Sequence, residues 1–253
     1  MDELFSLAGR TALVTGGARG LGRMIAEGLV AAGATVFITA RDASKCHDSA
    51  VEIGARSLPG DAGKPEGIAA LGDAFRQTGA STLDILVNNA GRTWGAPLEE
   101  FPDKAWPEVF AVNVQAPFRI VQEFLGELSA AGHVSRPSRV INIGSAIGVA
   151  HTDLPAYSYI ASKAAIHQLS HKLATDLLPR HITVNTVQPG YFATSMTAFL
   201  TENLASGLED QIPMKRLGRS KDIAGAVIFL ASDAGAYLTG VELPVDGGLV
   251  GCR

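Results

Sequence analysis

The sequence predicts an α/β fold, one domain over residues 1–253 built as a parallel sheet with helices on both faces. Three observations carry that prediction. Short β-type runs alternate with helical patterns along the chain. The first such junction holds a cluster of glycines. The least regular stretches follow strand-like segments, where open α/β sheets bind their ligands. Repeated βα units imply parallel strands, since a crossover helix returns the chain to the same end of the sheet.

Residues 11–15, TALVT, form an apolar β-type run ending in glycines. In LGRMIAEGLVAAG (21–33) Ile25, Leu29 and Ala32 return at helical spacing. ATVFITA (34–40) reads as the second strand, and ARSLPGD (55–61) is a lesser strand candidate. Further strand-like runs are LDILVNN (83–89), SRVINIGS (138–145), HITVNTVQP (181–189) and VELPVDG (241–247), with helical patterns between most of them. No linker or shift in composition divides the chain. Irregular stretches at 92–97, 146–156 and 190–215 follow LDILVNN, SRVINIGS and HITVNTVQP, so these three loops are expected to surround the site.

With 47% hydrophobic residues, 28 glycines and only 18% charged residues, the chain has the composition of a compact enzyme-like domain. A net charge of −4 without a dense run of Lys or Arg lacks the footprint of a nucleic-acid binder. Cys46 and Cys252 show no metal-ligand spacing, so neither a disulfide framework nor a metal site is expected, and a reducing cytoplasm fits best. The segment MDELFSLAGR has neither the charged head nor the apolar core of a signal peptide. No apolar run approaches the length of a membrane span, and no membrane partner is expected.

The turn TGGARGLG (15–22) lies between the first strand and the first helix. Gly16, Gly20 and Gly22 permit a tight turn and close backbone approach. The helix N-terminus behind them offers unsatisfied N–H groups and a positive dipole end to a pyrophosphate. The pattern is not the Walker type, which needs Gly-Lys-Ser/Thr at its end, so ATP hydrolysis is disfavoured. Further on, SYIASK (158–163) sets Tyr159 and Lys163 one helical turn apart on one face. A tyrosine titrates near pH 10, and a neighbouring ammonium favours its phenolate.

Together, Thr15-Gly16-x-x-x-Gly20-x-Gly22, Asn88-Asn89-Ala90-Gly91, Asn113, Ser145, Tyr159-x-x-x-Lys163 and Pro189-Gly190 resemble the short-chain dehydrogenase/reductase family from residue 10 to Gly248. The stretches FSLAGRTALVTGG, RVINIGS and SKAAIHQLS resemble its β-ketoacyl reductase branch associated with rhamnolipid synthesis. The resemblance implies a Rossmann-type, doubly wound fold with a seven-stranded parallel sheet, and a dimer or tetramer. It implies hydride transfer to a carbonyl, with Tyr159 as proton donor and Ser145 holding the reacting oxygen. Lys163 would also grip the nicotinamide ribose, and Asn113 would support a proton-relay water. Cofactor contacts would come from Gly16, Arg19, Gly20, Leu21, Gly22, Arg41, Asp61, Ala62, Asn89, Ala90, Gly91, Tyr159, Lys163, Pro189, Gly190 and Thr194, with Asp61 at the adenine.

An acidic residue ending the second strand would bind the ribose hydroxyls and repel a 2′-phosphate. The strand ends instead in Thr39-Ala40-Arg41, and Arg19 sits in the glycine turn, so two guanidinium groups can converge on that phosphate. The expected cofactor is therefore NADP(H); the alternative is that Arg41 pairs with Asp42 or points to solvent. The serine-to-tyrosine separation is one longer than is common in the family. Tyr157 does not replace Tyr159, because its partner position is Ala161, which carries no charge, and Gly144 leaves no second serine before Ser145.

Trp94, Val149, Phe192, Met196, Phe199 and Leu200 lie on loops expected over the nicotinamide, and their apolar character favours a hydrophobic ketone over a sugar. The expected substrate is a 3-oxoacyl thioester on acyl carrier protein or coenzyme A. Another apolar ketone or a polyol is the alternative, and a cofactor-sensing protein without turnover is an alternative of another class. Arg180 ends the active-site helix where the family's carrier-dependent reductases have an arginine implicated in docking, though it could simply complement the helix C-terminus. His167 and His171 lack a third metal ligand and are expected to contribute to a subunit contact.

Overall fold

The computed structural model describes residues 2–194 and 208–252. Its strands are β1 (Thr11–Thr15), β2 (Thr35–Thr39), β3 (Arg56–Ser57), β4 (Ile85–Asn88), β5 (Ser138–Ile143), β6 (Ile182–Pro189) and β7 (Glu242–Val245). They form one seven-stranded sheet in the order β3-β2-β1-β4-β5-β6-β7, with every neighbouring pair parallel. The chain winds outward from β1 in one direction and from β4 in the other. That places the crevice between their carboxyl ends at the topological switch point.

The helices are α1 (Asp2–Phe5), α2 (Gly20–Ala31), α3 (Ala43–Ile53), α4 (Pro65–Gln77), α5 (Ala105–Phe110), α6 (Ala116–Glu123), α7 (Leu125–Ala131), α8 (Tyr157–Leu177) and α9 (Ser220–Ala231). A π-helical turn, Ala111–Gln115, joins α5 to α6. Successive strand side chains point to opposite faces, and the core divides accordingly. Ala12 and Val14 of β1 cluster with Ile25 and Leu29 of α2 and with Ile223 and Val227 of α9. Leu13, between them, belongs to the other layer, with Phe75 of α4, Ile120 of α6 and Leu173 of α8. In that layer Phe75 meets Phe37 and Phe124 edge-on, at centroid distances of 5.1 and 5.3 Å, the geometry aromatic quadrupoles prefer.

Strands β4, β5 and β6 are buried along their whole length, as expected of a sheet covered on both faces. The candidate at 55–61 forms only the two-residue edge strand β3, although Leu58 and Gly60 still donate their N–H groups to Ile38 and Ala40. Helix α2 stops at Ala31, two residues short of the periodic pattern, and Gly33 turns the chain at φ 98°. Among the described residues no helix is long and apolar enough to cross a membrane.

Candidate active site

At the carboxyl end of β1 the chain turns through Gly16, at φ 64°, and enters α2 behind Arg19. A Cβ on Gly22 would lie 2.3 Å from Gly16 O and 2.4 Å from Asn89 Nδ2, so only glycine fits there. Asn89, from the loop after β4, donates through Nδ2 to the carbonyls of Thr15 (2.8 Å) and Gly16 (3.2 Å). Thr15 returns the brace: its hydroxyl accepts from the main-chain N–H groups of Asn89 and Ala90, both at 3.0 Å. Arg19 is extended at the helix N-cap and makes no side-chain cap bond. The first N–H groups of α2 are thus left to an anion, where the helix dipole also favours one.

Arg19 and Arg41 are both exposed around this turn. β2 ends at Thr39 and is followed by Ala40 and Arg41, so no carboxylate stands at its end to oppose a phosphate. Asp61 accepts from Gly63 N at 3.0 Å and caps its own turn, while Ala62 is buried. Leu21 packs onto the core beneath the turn. Thr194 comes down beside Gly20, its Cγ2 3.6 Å from where a Cβ would be. Gly190 passes so close to Asp246 that a Cβ would meet its Cα at 2.7 Å, and its N–H donates to Val245 O at 3.0 Å. Backbone cradle, free helix terminus and guanidinium groups therefore fit a dinucleotide carrying an extra phosphate.

Tyr159 and Lys163 share one face of α8, directed at the end of β5. The Tyr159 hydroxyl hydrogen-bonds Ser145, and burial pushes the phenol up, with the Ser145 bond opposing the shift. Lys163 is buried; its Nζ donates to Ile143 O at 2.7 Å and lies 5.6 Å from the Tyr159 ring centroid. Burial lowers its pKa to about 8. Desolvation sets the direction for the phenol by itself, whereas the phenolate expected from the sequence draws on the charge of an oxidised nicotinamide as well as on Lys163.

Asn113 sits in the π turn, a local feature frequent at functional sites. Its Oδ1 accepts from Arg92 N at 2.8 Å, while its Nδ2 donates to Arg92 O at 2.9 Å and to Ser162 Oγ at 2.9 Å. Ser162 Oγ in turn donates to Tyr159 O at 2.7 Å. Asn113 thereby ties the loop after β4 to the helix bearing the tyrosine. Tyr157 packs edge-on against Phe101 at 5.1 Å and takes no part in this group.

Two expectations need correcting. Phe192 is 2% exposed and belongs to the core, its ring lying over Gly218, so it does not line a substrate pocket. His167 is buried behind Ser145 rather than presented to another subunit; only His171 is partly exposed, and it pairs with Glu242 at 3.2 Å. Trp94, part-buried on the loop after β4, lies near both Arg92 and Lys104, and Val149 is exposed. Met196, Phe199 and Leu200 lie outside the described residues. Arg180 is exposed at the end of the turn Leu178–Arg180. No group of three or more metal-binding side chains occurs among the described residues.

Sequence reasoning gave Ser162 no role, Thr15 only a place in the glycine motif, and His167 only a subunit contact. A signal for the last was present, since Tyr159, Lys163, His167 and His171 recur every fourth residue and so form one stripe of α8.

A family model described as enoyl-(acyl carrier protein) reductase matches residues 16–250. The chain belongs to the short-chain dehydrogenase/reductase family. The rhamnolipids biosynthesis 3-oxoacyl-[acyl-carrier-protein] reductase of Pseudomonas aeruginosa is 46% identical over 254 residues, covering 98% of this chain and 99% of that one. The 3-oxoacyl-[acyl-carrier-protein] reductase FabG of Escherichia coli is 37% identical, over 95% and 97% of the two chains. Among solved structures, the Pseudomonas aeruginosa RhlG/NADP active-site complex superposes with a TM-score of 0.95, at 45% identity, covering 99% of this chain and all of that one. The shared single-domain, seven-stranded fold is the one expected for this family of oxidoreductases.

Proposed function

We propose that this reductase family member reduces a 3-oxoacyl thioester at the expense of NADPH. The observation that carries the reading is the Ser145–Tyr159–Lys163 group at the carboxyl end of β5, beside a glycine turn flanked by Arg19 and Arg41. The glycine turn, Arg19 and Arg41 would hold NADPH, whose chemistry there would be hydride donation to a carbonyl carbon. Tyr159 donates its proton to the developing alkoxide. A phenol raised by burial keeps that proton through neutral pH, the state a donor needs. The Ser145 hydroxyl bonds the same oxygen and fixes its position. Lys163 supplies a buried positive charge near the Tyr159 ring, and Asn113 holds the loop after β4 in register with the tyrosine. Gly16, Gly20, Leu21, Gly22, Asp61, Ala62, Asn89, Ala90, Gly91, Pro189, Gly190 and Thr194 form the cofactor side, with Tyr159 and Lys163 reaching it from α8.

The names of the two relatives support a thioester on acyl carrier protein, with coenzyme A as the other carrier. Arg180, exposed at the far end of α8, is offered to an acidic carrier. A homodimer or homotetramer, as the family resemblance implies, would give the exposed Trp106 of α5 and Phe118 of α6 a surface to pack against. Free thiols at Cys46 and Cys252 support a reducing, cytoplasmic setting. Incubation with NADPH and acetoacetyl thioester tests the reading: NADPH oxidation should match 3-hydroxyacyl product formation. Saturable NADPH binding without turnover of any ketone would instead mark a cofactor sensor. Arg41→Ala should weaken NADPH by about 10- to 100-fold, the range of one or two charge-assisted hydrogen bonds, and leave NADH nearly unchanged. Equal losses in a fluorescence titration would remove Arg41 from phosphate recognition.

A further inference from the structure

Against the main chain of Ser145 lies a buried polar group that the reaction scheme does not use. His167 of α8, 3% exposed, places Nε2 3.3 Å from the main-chain N–H of Ser145. Its Nδ1 lies 3.3 Å from the Gln188 amide of β6 and 3.7 Å from Glu242 Oε2 of β7. Gln188 also donates to that carboxylate. The other oxygen, Oε1, pairs with His171 at 3.2 Å. A continuous path thus runs from the peptide of Ser145 to the partly exposed end of the network.

The glycines around Ser145 match the ring. A Cβ on Gly144 would come within 2.2 Å of His167 Nε2, and one on Gly148 within 2.8 Å of its Cε1. The imidazole therefore occupies the space that side chains at 144 and 148 would need. Removing it would leave the backbone on both sides of Ser145 unsupported.

We propose that His167 is a positioning residue for Ser145, held neutral with its proton on Nδ1 and its Nε2 accepting the Ser145 N–H. The tautomer follows from the partners. A main-chain N–H can only donate, so Nε2 must be bare and the proton goes to Nδ1; the Gln188 amide then gives its hydrogen to Glu242 and makes no bond to Nδ1, whose proton the carboxylate orients. A second proton would set N–H against N–H and break the contact. The groups facing the ring are Ser145 N, Gln188, Glu242, and Lys163 and His171 of its own helix. Burial lowers the histidine, as do the nearby Lys163 and His171 charges, while Glu242 raises it. Ser145 is thus supported in the neutral state and released as pH falls through the acid side of the ordinary histidine range.

The inference rests on the reductase reading, and two readouts separate its failure from that of the reading. The first needs no turnover: ring 15N NMR of the whole protein should show His167 protonated at Nδ1 and bare at Nε2. A proton on Nε2 near neutral pH overturns the proposal even if the enzyme is active. The second is kinetic. His167→Leu should lower kcat by about tenfold or more, through sub-ångström misplacement of Ser145, with NADPH affinity and ketone KM within about twofold of wild type. His167→Gln, which retains an acceptor but does not titrate, should restore most of kcat and lose the acid limb of the kcat–pH profile. An unchanged kcat in His167→Leu overturns the proposal, as does an acid limb that persists in His167→Gln. Should the leucine variant fail to fold, the glutamine variant and the ring spectrum still decide.

Discussion

Tyr159→Phe is expected to lower kcat by about a thousandfold, within the range general-acid catalysis supplies, and to leave the fold and NADPH binding largely intact. That loss corresponds to about 4 kcal/mol of transition-state stabilisation. The ring stays in place on α8; only the hydroxyl that bonds Ser145 is removed. Because the proton donor serves the chemical step, ketone KM should change little and the loss should fall on kcat. Single-turnover measurement of NADPH oxidation, with NADPH affinity determined separately, checks both halves. Turnover within tenfold of wild type would remove Tyr159 from the mechanism.

Lys163→Met is expected to abolish most activity while making the cofactor-free protein more stable at pH 7. The ammonium is buried, and its pKa falls from 10.5 to about 8. The sign follows from proton linkage. Below pH 8 both the folded and the unfolded chain carry the charge, and the folded state bears the full cost of burying it. Between about 8 and 10.5 the folded state releases its proton first, so wild-type stability rises with pH. The cost is on the order of 3 kcal/mol at most, and loss of the bond to Ile143 O offsets part of it. Urea unfolding of both proteins should therefore show a gap at pH 7 that narrows as pH rises towards 10. A gap independent of pH would mean that the Lys163 charge is not under strain. Stability given up at a functional site is a familiar exchange.

Much of this architecture was readable because local and tertiary signals agree. TALVT followed by glycines and a periodic helix could form little else, and the buried strands β4, β5 and β6 carry the apolar runs of a doubly covered sheet. Helical periodicity puts Tyr159 and Lys163 on one face, and the family resemblance supplied their roles. Phe192 was misread because an apolar loop residue looks the same in sequence whether it turns towards a substrate or down onto the core. Its direction is decided by Gly218, distant in the chain, which leaves room for the ring. Asn113 came from the family resemblance, and its bonds to Arg92 and Ser162 depend on a π turn whose i→i+5 pattern has no simple sequence mark. His167 required knowledge that β6 and β7 bring Gln188 and Glu242 beneath α8. Each miss concerns a contact between distant segments.

The most direct test of the central claim is kcat/KM with NADPH along a series of 3-oxoacyl thioesters of increasing chain length, with aryl ketones and keto-sugars as comparators. An additional methylene buried in an apolar site is worth roughly 0.8 kcal/mol, or about a fourfold gain. Efficiency should therefore climb over the first few methylenes and exceed that for the keto-sugars throughout. Activity confined to keto-sugars, with thioesters inert at every length, would contradict the assignment.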